Sequence, residues 1–119
     1  MFEVYSFKKE YQFLKKRINR SVLNVLKSNN YILGEQVKKF EKNFASYLGA
    51  KYCVGVGSGT DAITISLIAS GIGMGDEVIT TNFTAFPTIT GIVNSGAKPV
   101  TVDVDKDDAL IDVKKITKK

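Results

Sequence analysis

Between residues 7 and 27, apolar side chains fall at Tyr11, Leu14, Ile18, Val22 and Val25 or Leu26, the spacing of one helix face. Ser28-Asn29-Asn30 breaks the pattern, and Tyr31-Ile32-Leu33-Gly34 follows as a short apolar loop. A second amphipathic helix is predicted over residues 35–48, with Val37, Phe40, Phe44 and Tyr47 on one face and Gly49 as its C-cap. Then the periodicity changes. Tyr52-Cys53-Val54 reads as a buried strand, residues 77–81 as a second and residues 99–104 as a third. Helices are predicted between them at 61–70, ended by Gly71, and at 84–94, ended by Gly96 and carrying Pro87 in its first turn, where proline is tolerated. Residues 112–118 start a further helix. The 61–70 segment is apolar on most sides, the pattern of a helix buried beneath other elements.

Strands alternating with helices imply βαβ units and a largely parallel sheet. The expected fold is therefore α/β: two leading helices in residues 1–50, then the start of an α/β domain in residues 51–119. Three strands make a thin sheet with both edges open. The sequence is accordingly expected to be the N-terminal part of a larger protein. No internal repeat or low-complexity stretch interrupts it.

Composition narrows the chemistry. The 119 residues, 44% hydrophobic and 24% charged, are ordinary for a globular chain, so disorder is not expected. The net charge of +5 gathers at Lys8, Lys9, Lys15, Lys16, Arg17 and Arg20 and again at Lys114, Lys115, Lys118 and Lys119. Without a recognisable nucleic-acid module, these read as solvated faces. The absence of histidine and of any carboxylate cluster at metal spacing excludes a His triad or a zinc site within this chain. Cys53 is the single cysteine and reads as a small buried hydrophobe. Neither a signal region nor a run long enough to cross a membrane appears, so a cytoplasmic protein is expected.

The stretch richest in chemistry is Val54-Gly55-Val56-Gly57-Ser58-Gly59-Thr60-Asp61-Ala62. Glycines allow close backbone approach, and a helix starting there aims free N–H groups and the positive end of its dipole at whatever sits in the turn. Ser58 and Thr60 add hydroxyls, and Thr60 could equally be the N-cap. A phosphate cradle and a bare strand-to-helix turn both remain open on spacing alone. A dinucleotide fingerprint would need glycine where Thr60 stands, and a P-loop would need a lysine at the helix start; neither motif is present.

Five motifs follow one another in order: Tyr31-Ile32-Leu33-Gly34; Phe40-Glu41-x-x-Phe44-Ala45-x-Tyr47-Leu48-Gly49; Gly57-Ser58-Gly59-Thr60-Asp61-Ala62; Gly71-Ile72-Gly73-x-Gly75-Asp76-Glu77-Val78-Ile79-Thr80; and Gly96-Ala97-x-Pro99-Val100-x-Val102-Asp103-Val104. This order resembles the DegT-type nucleotide-sugar aminotransferases, a branch of the fold type I pyridoxal-phosphate (PLP) enzymes, over nearly the whole chain. The resemblance implies a cytoplasmic homodimer with PLP as cofactor, bound in a large domain that begins at residue 51. An amino acid, usually glutamate, gives up its amino group, and a keto group on a nucleotide-linked sugar receives it, in aminosugar or polysaccharide synthesis. A lysine expected beyond residue 119 holds PLP as a Schiff base and moves the proton. No catalytic residue is therefore expected here, and Lys114, Lys115, Lys118 and Lys119 match a surface region of the family.

Carried over residue by residue, the resemblance assigns Ser58, Gly59 and Thr60 to the cofactor phosphate. Tyr31 and Gly34 match a loop near the substrate at the dimer interface, although packing of residues 31–33 on the first helix is an equal alternative. Aligning Thr84 and Thr88 with two family threonines places Ala85 where relatives carry the aromatic that stacks on the cofactor ring. Phe83 and Phe86 flank it; Phe86 is the candidate for stacking, though a helix would turn it about 100° from Ala85, and Phe83 reads as core. Alternatives to an aminotransferase are a PLP-dependent sugar dehydratase of the same family, a non-catalytic remnant, and an unrelated α/β module holding some other phosphate.

Overall fold

The computed structural model describes residues 6–116. Their elements are α1 (Lys8–Ser28), α2 (Glu35–Leu48), α3 (Gly59–Ala69), β1 (Glu77–Thr81), α4 (Pro87–Asn94), β2 (Lys98–Val102) and α5 (Val113–Ile116). They fall into two compact units, residues 1–55 and 56–119.

In the first unit, α1 ends where Asn29 turns left-handed, at φ 55°. The Tyr31 hydroxyl then reaches back to the Leu26 carbonyl, 3.0 Å away, and the Asn29 Oδ1, 3.1 Å away. Ile32 and Leu33 stay exposed, so the expected packing of this loop on α1 is limited to that hydroxyl. Helix α2 has the predicted bounds. Gly49, at φ 66°, lets the chain leave it in a left-handed cap whose N–H bonds the carbonyls of Ala45 and Ser46. Its apolar face holds Phe40 stacked on Phe44, ring centroids 5.4 Å apart, and buries Ala45.

Tyr52-Cys53-Val54 is not a strand. No described strand lies beside it, and an extended segment without a ladder is not a strand. Tyr52 and Val54 are exposed, and Cys53 is half-buried rather than core. The segment is anchored instead by a side chain: the Glu41 carboxylate accepts the Gly55 N–H at 2.7 Å.

The second unit contains the βαβ arrangement. β1 and β2 pair in parallel with Glu77 opposite Lys98 and Thr81 opposite Val102, and α4 is the crossover. A short loop sets the register. Asp76 accepts the Gly73 N–H on its carboxylate at 2.8 Å and the Lys98 N–H on its carbonyl at 2.9 Å. Ile92, Ala97 and Val102 form the core beneath this crossover.

Three expectations are revised here. The helix predicted over 84–94 begins at Pro87, which suits a first helical position because its missing N–H would have no partner there. The last strand stops at Val102. The chain then turns back, with Val104 meeting Ile111 in an isolated antiparallel bridge. Helix α3, apolar on most sides and expected beneath other elements, leaves Ile65 and Ile68 about half exposed, because among the described elements α4 is its main neighbour. The last residues of the helix predicted over 112–118, including Lys118, and the final Lys119 lie outside the described residues.

Candidate functional site

The glycine turn resolves into a capped helix start. Ser58 is extended, at φ −160° and ψ 168°, and its hydroxyl accepts the Asp61 N–H at 3.1 Å while its carbonyl accepts the Ala62 N–H at 3.0 Å. Ser58, not Thr60, is therefore the N-cap. The reason is geometric: an N-cap oxygen must reach the N–H of the second or third helical residue, and Ser58 stands three before Asp61. Gly59 and Thr60 become the first two helical residues, whose N–H groups no intrahelical acceptor can satisfy. Neither donates to a protein acceptor among the described residues.

These groups suit a phosphate. Two N–H donors and the helix dipole favour an anion, and the hydroxyls of Ser58 and Thr60 can add two more donors. Space is available too: a Cβ built on Gly59 would meet nothing within 4 Å. The same test on Gly57 gives the opposite answer, since a Cβ there would lie 2.8 Å from Asp61 Oδ2. The Asp61 carboxylate thus folds back over Gly57, leaving the opening at Gly59 and Thr60.

Helix α4 brings the aromatic candidates into the same unit. Phe86 precedes Pro87 at the start of α4, with its ring 79% exposed and its carbonyl accepting the Thr90 N–H at 3.2 Å. Phe83, expected as core, is also exposed, because no described element covers the loop between β1 and α4. Its N–H bonds Thr81 Oγ1 at 3.0 Å, and the Thr84 and Thr88 hydroxyls meet at 2.9 Å. Asn82, Phe83 and Thr84 line an open hollow of about 340 Å³.

Tyr31 and Gly34 belong to the other unit. Tyr31 is 57% exposed with its hydroxyl engaged by α1, and Gly34 is buried at the start of α2, its carbonyl accepting the N–H groups of Val37 and Lys38. A Cβ on Gly34 would lie 2.8 Å from the Asn30 carbonyl oxygen. This position requires glycine for packing, with or without a ligand. Two further side chains were assigned no role from the sequence: Glu41, although it stands in the second motif, and Thr64. Glu41 had a legible signal, a carboxylate set between Val37 and Phe44 on the apolar face of α2. Thr64 had none.

Among the described residues, no group of His, Cys, Asp or Glu converges as metal ligands, and no helix is long and apolar enough to cross a membrane.

Comparison with known proteins places this architecture in one family. Residues 12–119 match the model of the DegT/DnrJ/EryC1/StrS aminotransferase family. The chain belongs to that family. It is 51% identical over 96 residues to the pleiotropic regulatory protein of Geobacillus stearothermophilus, covering 81% of this chain and 26% of that protein. It is 47% identical over 104 residues to a dTDP-3-amino-3,6-dideoxy-alpha-D-galactopyranose transaminase of Aneurinibacillus thermoaerophilus, covering 87% of this chain and 29% of that one. A crystal structure of a DegT DnrJ EryC1 StrS aminotransferase from Brucella abortus superposes with a TM-score of 0.92 at 32% identity, over 98% of this chain and 31% of its own. A GDP-4-keto-6-deoxymannose-3-dehydratase with a trapped PLP-glutamate geminal diamine superposes at 0.75, with 28% identity, over 84% of this chain and 28% of its own. The chain thus spans less than a third of the length of these relatives.

Proposed function

We propose that Ser58, Gly59 and Thr60 bind the phosphate of PLP in an aminotransferase that moves an amino group from an amino acid, glutamate, to a keto group on a nucleotide-linked sugar. The observation that carries this reading is the start of α3 in a chain of this family. Two N–H groups without protein acceptors stand beside two hydroxyls, over open space at Gly59. When bound, the cofactor supplies the electron sink for amino transfer. The residues of this chain bind and orient. Gly59 and Thr60 donate to phosphate oxygens, the hydroxyls of Ser58 and Thr60 add their own donors, and Phe86 offers its exposed ring to the cofactor ring. Tyr31 and Gly34 lie in the loop assigned to the sugar-nucleotide side. Residues 51–119 begin the PLP-binding domain of a cytoplasmic homodimer acting in aminosugar or polysaccharide synthesis. The lysine that handles the proton is none of the residues named here.

Thr60→Pro in the full-length protein tests the phosphate assignment. Proline there removes the N–H and the hydroxyl of Thr60 while breaking no intrahelical hydrogen bond, because the first N–H groups of a helix have no partner in it. The absorbance of bound PLP is expected to collapse while the far-ultraviolet dichroism stays unchanged; undiminished absorbance overturns the assignment. The match to a dehydratase supports a second reading within the family. Incubation with glutamate and a nucleotide-linked keto sugar separates the two: an aminated sugar supports the transaminase, a deoxygenated one the dehydratase.

A further inference from the structure

We propose that Thr64 and Gly91 are positioning residues that set the separation between the phosphate turn and the start of α4; this rests on the PLP reading above. The Thr64 hydroxyl has one proton and two acceptors. It lies 3.1 Å from the Thr60 carbonyl, in its own helix, and 3.0 Å from the Gly91 carbonyl, in α4. The first contact alone is a common habit of threonine in helices. The second crosses to another element at a part-buried site.

Gly91 makes that crossing close. It is buried, and a Cβ there would lie 2.8 Å from Cβ and Cγ2 of Ile63 and 3.1 Å from the Thr60 carbonyl oxygen. The two helix backbones therefore meet at the first turn of α3. Thr60 is gripped through its carbonyl, which points down the helix, while its N–H points out of the helix start toward the phosphate position. On the other side, Phe86 stands five residues before Gly91, about 7.5 Å along the axis of α4. Thr88, in the first turn of the same helix, hydrogen-bonds Thr84 in the loop that carries Phe83. One hydroxyl and one missing Cβ thus tie the phosphate donors to the helix bearing the ring-stacking candidate.

Thr64→Val in the full-length protein keeps the side-chain shape and removes the hydroxyl. Neither carbonyl is orphaned: Gly91 still accepts the Ser95 N–H at 3.3 Å, and Thr60 keeps its helical donor. Spectral titration with PLP should show a Kd raised about three- to tenfold, the equivalent of one modest hydrogen bond. The phosphorus NMR resonance of the bound PLP phosphate should move as well, with the melting temperature of the cofactor-free protein nearly unchanged. Thr64→Ser, which restores the hydroxyl, should recover both the affinity and the resonance. A Thr64→Val protein whose Kd and resonance match the wild type overturns the proposal, as does a Thr64→Ser protein as weak as Thr64→Val. If the wild type binds no PLP at all, the functional reading falls and this proposal with it. Wild-type binding that Thr64→Val leaves unmoved overturns this proposal alone.

Discussion

Gly59 and Gly34 look alike in the sequence, each a glycine within a motif, yet the space around them separates their roles. A methyl group on Gly34 would meet the Asn30 carbonyl oxygen at 2.8 Å, so that glycine is explained by packing. A methyl group on Gly59 would meet no described atom within 4 Å outside its own turn of chain. Gly59 also stands at the first helical position, where alanine is readily accommodated, so Gly59→Ala should leave the stability of the cofactor-free protein within about 0.5 kcal/mol of wild type. If Gly59 binds the phosphate as proposed, the same methyl group crowds the phosphate oxygens, and PLP affinity should fall about tenfold or more, equal to about 1.4 kcal/mol. Thermal melts without cofactor, paired with PLP titration, measure the two effects separately. A variant that binds PLP normally would remove Gly59 from the phosphate site.

At the scale of elements, the pair Glu77 and Lys98 sits at the first register position of the parallel strands, with Lys98 Nζ donating to Glu77 Oε1 at 2.8 Å. That hydrogen bond, helped by the charge attraction of the same carboxylate, raises the Lys98 pKa above its usual 10.5. A pKa raised by folding means that the folded state holds the proton more tightly. The pair's contribution is therefore complete below 10.5 and is lost as pH climbs through the raised value. Both side chains are largely exposed, so the effect is small and screened by salt. Denaturant unfolding should show a steeper alkaline loss of stability in the wild type than in Glu77→Gln, and the difference should vanish at high salt. Equal slopes would remove the pair from the forces that hold the register. Elements that carry a local pattern of their own were the legible ones. Helix α2 announced itself through its apolar spacing and Gly49, and β1 through its β-branched run. Tyr52-Cys53-Val54 has the same apolar character, but a strand exists only when another strand lies beside it, and its own residues do not encode that neighbour. The capping of α3 was half legible: Ser58 and Thr60 both carry a capping hydroxyl, and only the backbone decides that the helix starts at Gly59. The contact between α3 and α4 left no trace. Thr64 reads as one more residue of an apolar helix until α4 is seen against it.

For the whole molecule, the accessible surface carries the remaining argument. Much of what the described residues expose is apolar. Phe13, Ile32, Tyr47, Met74 and Phe86 each expose more than three-quarters of their surface, and just four hydrophobic residues among those described are buried. Large apolar side chains exposed in this way seek cover. The 119-residue chain, produced by itself, should therefore bind an apolar dye, elute as concentration-dependent oligomers and unfold over a broad range of denaturant. The protein that carries the chain within a full-length relative's architecture should show none of the three. The comparison turns on the isolated chain: a sharp, cooperative melt of a monomer would mean that these faces need no cover. It would also mean that the open edges of the β1–β2 ribbon are tolerated in water, against the usual weakness of two strands standing without a third.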